Sequence, residues 1–333
     1  MMDFEDAHIF LEQTDSAFPK HWHSGSLKYD NFKPLTEGGT AVIKTCLDTN
    51  LQRIVAYKTL HPHLKDNDQA NRRFLREARV TAKIAHPNTV PLYEVGRDRN
   101  GALYFTMKLL AGQDLREILT NMADGNKTVI SKFPIMRLAD ILVQVAQPVA
   151  YAHAHGVIHR DLKPANILVG KFGEVILLDW GLAKVSGEKH DDNDNHPALT
   201  IRQKAPANKA LTTPGARYGT PLYMSPEQAR GDSDLDERTD IYNLGIILFE
   251  MLTLKELIED GELNDVLDQI KNKPTPRPSE VAPKRDIPPP IEAICLRALE
   301  KNRDDRYQSI TALIKDLLHY RHHSHAPLMH PDG

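Results

Sequence analysis

His159-Arg160-Asp161-Leu162-Lys163-Pro164-Ala165-Asn166 is the stretch that decides the fold. It sets a carboxylate, an ammonium group and a carboxamide within a few positions of one another. Moving a phosphoryl group requires that set: a carboxylate beside the attacking hydroxyl, oxygen ligands for a metal on the phosphates, and cations against the developing charge. Asp161 is the candidate base, Lys163 the cation for the transferred group, and Asn166 a metal ligand. Thirteen residues beyond Asn166 comes Asp179-Trp180-Gly181, closing the apolar run Glu174–Asp179. A carboxylate leaving a strand, with a glycine close behind it, suits a magnesium ligand. A surface turn with scattered charges does not account for both motifs at this spacing.

Working outward, residues from about Tyr29 to Met107 read as strands interrupted by one helix. Arg53–Leu60 (RIVAYKTL) is β-branched and apolar with period two. Asp68–Pro87 reads as a helix, with Phe74, Ala78, Thr81 and Ala85 on one stripe and an end before Pro87. LYEVGRD and ALYFTMKL read as strands about an Arg-Asn-Gly turn at 99–101. From Gln113 the chain turns helical. Residues 138–156 form a long helix containing Pro148, where a kink is expected. ANILVG and EVILLD are short strands. Arg238–Thr253 is apolar on nearly every side and therefore buried. Two amphipathic helices, PPIEAICLRAL and SITALIKDLLHYR, close the chain. Residues 187–211 and the His-rich 321–333 lack apolar period and read as unstructured, as does the extension 1–27. The histidines at 319, 322, 323, 325 and 330 read as a solvated tail, not a metal site. Asp191–Asn195 lacks the spacing of a calcium loop.

The chain has 333 residues, 41% hydrophobic and 26% charged, with a formal net charge of −3. That balance excludes nucleic acid as an electrostatically driven partner. Cys46 and Cys295 are far apart and fit a reducing, cytoplasmic setting. No signal peptide or membrane span is legible.

The sequence resembles the eukaryotic-like (Hanks-type) protein kinase family, in its bacterial serine/threonine branch, from about Tyr29 to Tyr320. The resemblance is carried by VAYK (55–58), Glu77, HRDLKPAN, the DWG at 179–181 in place of DFG, GTPLYMSPE (219–227), Asp240 and Arg306. It implies an α+β, bilobal fold. Residues 28–110 become a small antiparallel-sheet lobe with one key helix and the hinge, and residues 111–320 a larger helical lobe. ATP and Mg2+, or Mn2+, are the implied cofactors. Proteins with serine or threonine acceptors are the implied substrates, and a homodimer serves trans-autophosphorylation.

By the same resemblance Lys58 and Glu77 form the ion pair of the active state, and Asn166 and Asp179 hold the metal. Thr36, Gly38, Ala41 and Ile43 occupy the phosphate-covering loop. Only the middle glycine of the family's G-x-G-x-x-G remains there, and that loss sustains the alternative of a pseudokinase scaffold. Ala56 and Leu168 wall the adenine, Met107 is the gatekeeper, and the backbone of Lys108 and Leu110 bonds the base. Trp180 plugs the core against His159. Arg160 receives a phosphate placed on Thr212 or Thr213, in an activation segment running from Asp179 to Glu227. Thr220 bonds near Asp161 and Lys163. Glu227 pairs with Arg306, and Asp240 anchors the catalytic-loop backbone. A small-molecule phosphotransferase on a related fold is disfavoured, because such enzymes lack GTPxYMxPE and its partner arginine.

Overall fold

The computed structural model describes residues 23–185 and 221–324. By internal contacts the chain divides into two units. Among the described residues, one holds 23–65 together with Glu94–Leu109; the other holds Asp66–Tyr93, 110–185 and 221–324.

In the first unit the period-two runs pair as strands. β1 (Tyr29–Glu37), β2 (Ala41–Asp48), β3 (Arg53–Leu60), β4 (Leu92–Arg97) and β5 (Leu103–Lys108) form one sheet in the order β1-β2-β3-β5-β4. Pairing β2, β3 and β5 antiparallel sets Ile43, Lys58 and Phe105 in one row, and Thr45, Ala56 and Met107 in the next. Alternation puts both rows on one face. The opposite face carries a buried cluster of Tyr29, Cys46, Val55, Tyr57 and Tyr104. Two of its phenols are bonded: Tyr29 shares a bond with Thr106 Oγ1 at 3.0 Å and Tyr104 donates to Glu94 at 2.7 Å. The expected Arg-Asn-Gly turn is closed by Asp98, whose carboxylate accepts from Asn100 N and Ala102 N. Of the N-terminal extension, residues 23–27 are described; there the Asn50 amide donates to the His23 carbonyl at 2.8 Å.

The second unit is helical, with short strands β6 (Gln113–Asp114), β7 (Val157–Ile158), β8 (Ile167–Val169), β9 (Val175–Leu177) and β10 (Lys184–Val185). Its helices are α1 (Asp68–Lys83), α2 (Leu115–Ala123), α3 (Lys127–Lys132), α4 (Ile135–Ala154), α5 (Pro226–Arg230), α6 (Arg238–Thr253), α7 (Leu263–Asn272), α8 (Pro278–Val281), α9 (Pro289–Ala298) and α10 (Ile310–Ser324). By internal contacts α1 is grouped with this unit. Asn67 caps α1, accepting from Ala70 N at 2.8 Å. The helix stops at Lys83, sooner than its stripe suggested, and Ala85 is exposed. Thr89 draws the chain away by donating to the carbonyls of Ile84 and His86.

α6 matches its expected bounds, and every residue in it after Arg238 is buried. A Cβ on Gly245 would stand 3.0 Å from Ala298 Cβ and from Leu299 Cγ, so glycine is what lets α9 approach. α10 runs to Ser324, three residues past the expected start of the tail, with the His319 and His323 ring centroids 3.9 Å apart. Among the described residues no helix is long and apolar enough to cross a membrane, and no group of three His, Cys, Asp or Glu could hold a metal ion.

Candidate active site

Between β7 and β8 the octapeptide forms a loop whose bonds turn its polar groups toward one another. Lys163 Nζ donates to Asp161 Oδ2 at 2.7 Å. Asn166 Nδ2 donates to the Asp161 carbonyl at 3.1 Å, and Asp161 N donates to His159 Nδ1 at 3.3 Å. The loop is anchored from α6: both oxygens of buried Asp240 accept at 2.8 Å, one from His159 N and one from Arg160 N. His153 on α4 bonds the Asp240 oxygen that takes His159 N, at 2.7 Å. Burial pushes the Asp240 carboxyl up, but His153 and these amides outweigh it and hold the group below the usual range.

Burial raises Asp161 above the ordinary carboxylate value; Lys163 opposes the rise and Asp179 adds to it. A carboxylate held above its ordinary pKa is better matched to accepting a proton from a hydroxyl. His159 is fully buried and its pKa is lowered by that burial, so it stands as neutral packing against Trp180, ring centroids 4.5 Å apart. Trp180 is fully buried, as expected of a plug.

Strand β9 carries the second motif into the same region. Leu178 N donates to the Asn166 carbonyl at 2.8 Å, placing Asp179 beside the loop. Asp179 adopts φ +58°, and its Oδ1 accepts from Gly181 N at 3.0 Å. A Cβ on Gly181 would stand 3.0 Å from Asp179 Oδ1 and 3.8 Å from Glu77 Oε2. Glycine therefore leaves room for the Asp179 carboxylate, and α1 delivers Glu77 to this turn. Asn166 spends its amide nitrogen on Asp161, which turns its oxygen the other way. A carboxamide oxygen and a carboxylate are the hard donors that magnesium takes from a protein, with substrate phosphates and water supplying the rest. The donor set fits that ion.

In the first unit Lys58 Nζ lies 5.5 Å from the Phe105 ring centroid, on the face shared by Ile43, Ala56 and Met107. Lys108 sits one position out of that row, its side chain on the opposite face. Thr36 pairs with Ile43 across β1 and β2. The turn between them is closed by Gly38 N donating to Ala41 O at 2.9 Å and by a 2.6 Å bond between His61 Nε2 and Gly38 O. Leu110 and Leu168 belong to the second unit, Leu168 within β8.

Glu227 and Arg306 form the expected pair, bidentate at 2.8 and 2.9 Å and fully buried. Thr239 Oγ1 also donates to Glu227, at 3.0 Å. Thr212, Thr213 and Thr220 lie outside the described residues, as does the stretch 187–211. Arg160 Nε donates to the Leu182 carbonyl at 2.7 Å, and Arg76 Nε to that of Ala183 at 3.2 Å.

Three features had no signal in the sequence. His61 clasps Gly38. Arg116 donates to the Tyr223 phenol, to Glu250 at 2.9 Å and to Glu256 at 3.0 Å. Gln228 Nε2 donates to the Arg160 carbonyl at 2.8 Å. Each joins segments far apart in the chain, and no local pattern marks such a contact.

Comparison with known proteins adds an independent line. The family model described as "Protein kinase domain" matches residues 29–325. Serine/threonine-protein kinase PknD of Protochlamydia amoebophila is 34% identical over 298 residues, 88% of this chain and 30% of the relative. The proteins of that name from Chlamydia pneumoniae and Chlamydia caviae are 34% and 35% identical, each over 87% of this chain and 31% of the relative. The chain thus spans about a third of the length of these curated relatives.

Proposed function

The chain belongs to the protein kinase family, and on that footing we propose that it transfers the γ-phosphoryl group of ATP to serine or threonine hydroxyls of proteins. The observation that carries this reading is the convergence of Asp161, Lys163, Asn166 and Asp179 on one loop, through the Asp161–Lys163 pair and the Asn166–Leu178 backbone bond. Asp161 orients the acceptor hydroxyl and takes its proton. Lys163, held 2.7 Å from Asp161, presents its charge to the transferred group. Lys58 neutralises charge on the nucleotide phosphates. Asn166 and Asp179 would hold Mg2+ or Mn2+, which when bound supplies charge neutralisation on the phosphates. Ile43, Ala56 and Met107, which share one face of the sheet, contact the adenine, and the backbone of Lys108 bonds its edge.

Thr220 steadies Asp161 and Lys163, and autophosphorylation falls on Thr212 or Thr213, with Arg160 receiving the phosphate. Incubation with γ-labelled ATP and magnesium, followed by mapping of the phosphorylated residues by mass spectrometry, tests the proposal. Label on serine or threonine supports it. Absence of label on the chain and on generic protein acceptors, with ATP bound, contradicts it.

A further inference from the structure

Arg160 stands in a backbone conformation that residues with a Cβ disfavour, φ +67°. Asp161 is the next residue, so the setting of Arg160 decides where the Asp161 carboxylate points. Two buried side chains hold Arg160 from opposite sides of its Cα. Asp240 Oδ1 accepts from its N–H at 2.8 Å, and Gln228 Nε2 donates to its carbonyl at 2.8 Å. The N–H belongs to the peptide before Arg160 and the carbonyl to the peptide after it. Fixing both fixes the rotation between them, and fixing one alone does not.

The orientation of the Gln228 carboxamide is itself determined. The side chain is fully buried. Its Oε1 accepts from Ser225 N at 2.9 Å and from Asn243 Nδ2 at 3.5 Å. A flipped amide would set oxygen against the Arg160 carbonyl and nitrogen against the Ser225 N–H, losing both bonds at a fully buried side chain. Gln228 also opens α5 through its capping bond with Ser225. It therefore ties the segment that follows Pro221–Tyr223 to the loop that carries Asp161.

We propose that Gln228 is a positioning residue for phosphoryl transfer, setting the Arg160–Asp161 peptide so that Asp161 meets the acceptor hydroxyl. The inference rests on the kinase reading above. Misplacing a reacting group by about 1 Å costs on the order of 10²-fold in rate, and that is the loss expected here. It falls on kcat more than on KM for ATP, because the residues assigned to the adenine, Ile43, Ala56 and Met107, belong to the other unit.

The test compares wild type, Gln228→Met, Gln228→Glu and Ser225→Ala by steady-state kinetics and thermal unfolding. Gln228→Met has the length of glutamine and no donor, so it loses kcat at every pH. Gln228→Glu keeps the oxygen for Ser225 N and regains a donor when its carboxyl is protonated, so its kcat recovers toward that of wild type as pH falls. Ser225→Ala removes only the capping hydroxyl and lowers the unfolding midpoint at unchanged kcat. Wild-type kcat in Gln228→Met overturns the proposal. So does a loss that is equal in the Met and Glu variants at all pH and tracks their unfolding midpoints. A wild-type chain that transfers no phosphate overturns the kinase reading beneath it, whereas an active wild type beside an unimpaired Gln228→Met overturns the positioning role alone.

Discussion

Two ion pairs in the second unit have similar geometry and opposite circumstances. Arg306 and Glu227 meet at 2.8 Å with both side chains fully buried, while Lys163 and Asp161 meet at 2.7 Å with 18% and 23% of their side chains exposed. Around Arg306 the protein consumes the whole hydrogen-bonding capacity. Its Nε donates to Glu300 O, and its terminal nitrogens donate to Arg238 O and Lys301 O as well as to both Glu227 oxygens. The Lys163–Asp161 pair has one bond between its charges and an open side. Distance does not separate a structural pair from a reactive one; what separates them is whether the protein itself exhausts the donors and acceptors.

Breaking the closed pair has the largest expected effect on stability. Arg306→Ala leaves Glu227 charged, buried and short of two partners, and should destabilise the fold by about 3–5 kcal/mol in denaturant unfolding. A smaller loss would show that water reaches the site. Glu227→Gln keeps the shape but turns one of the two acceptors into a donor facing Arg306, at about 1–3 kcal/mol by the same measurement. Gly245→Ala tests the packing beside the pair. Overpacking against Ala298 and Leu299 costs about 1–3 kcal/mol, offset by roughly 1 kcal/mol of helix propensity, so a net loss of about 1 kcal/mol is expected.

The two carboxylates should also respond to pH with opposite signs. Burial pushes Glu227 up, but the Arg306 and Thr239 bonds outweigh it and leave the folded value below 4.5. The stability it contributes is therefore full above 4.5 and lost as pH falls through the depressed value. Asp161 is raised above 3.8, first by burial. Its contribution is full below 3.8 and lost as pH rises through the folded value. Unfolding midpoints against pH for wild type, Glu227→Gln and Asp161→Asn measure this. Glu227→Gln should flatten the acid loss, and Asp161→Asn should be no less stable than wild type near neutrality. A destabilised Asp161→Asn would make Asp161 structural, and the comparison would collapse.

The parts legible in the sequence were those whose chemistry lies in short motifs or in strong periodicity. HRDLKPAN and Asp179 were read from type and spacing, the Glu227–Arg306 pair and the Asp240 anchor from the family resemblance, and α6 from its nearly all-apolar run. The end of α1 was misplaced because Ala85 fits the stripe, while the termination comes from Thr89 bonding back to Ile84 and His86. The extra turn of α10 was hidden because histidines carry no apolar signal. Gln228, His61 and Arg116 were invisible for a different reason. Each acts through contacts with partners remote in sequence, and only the folded backbone brings them together.

The measurement that bears most directly on the account is phosphoryl transfer by Asp161→Asn, with ATP binding followed on the same sample. The account expects ATP to bind as in wild type and transfer to fall by about 10²–10⁴-fold, the worth of a positioned general base. Transfer at the wild-type rate would contradict it, because the open pair would then be no more reactive than the closed one.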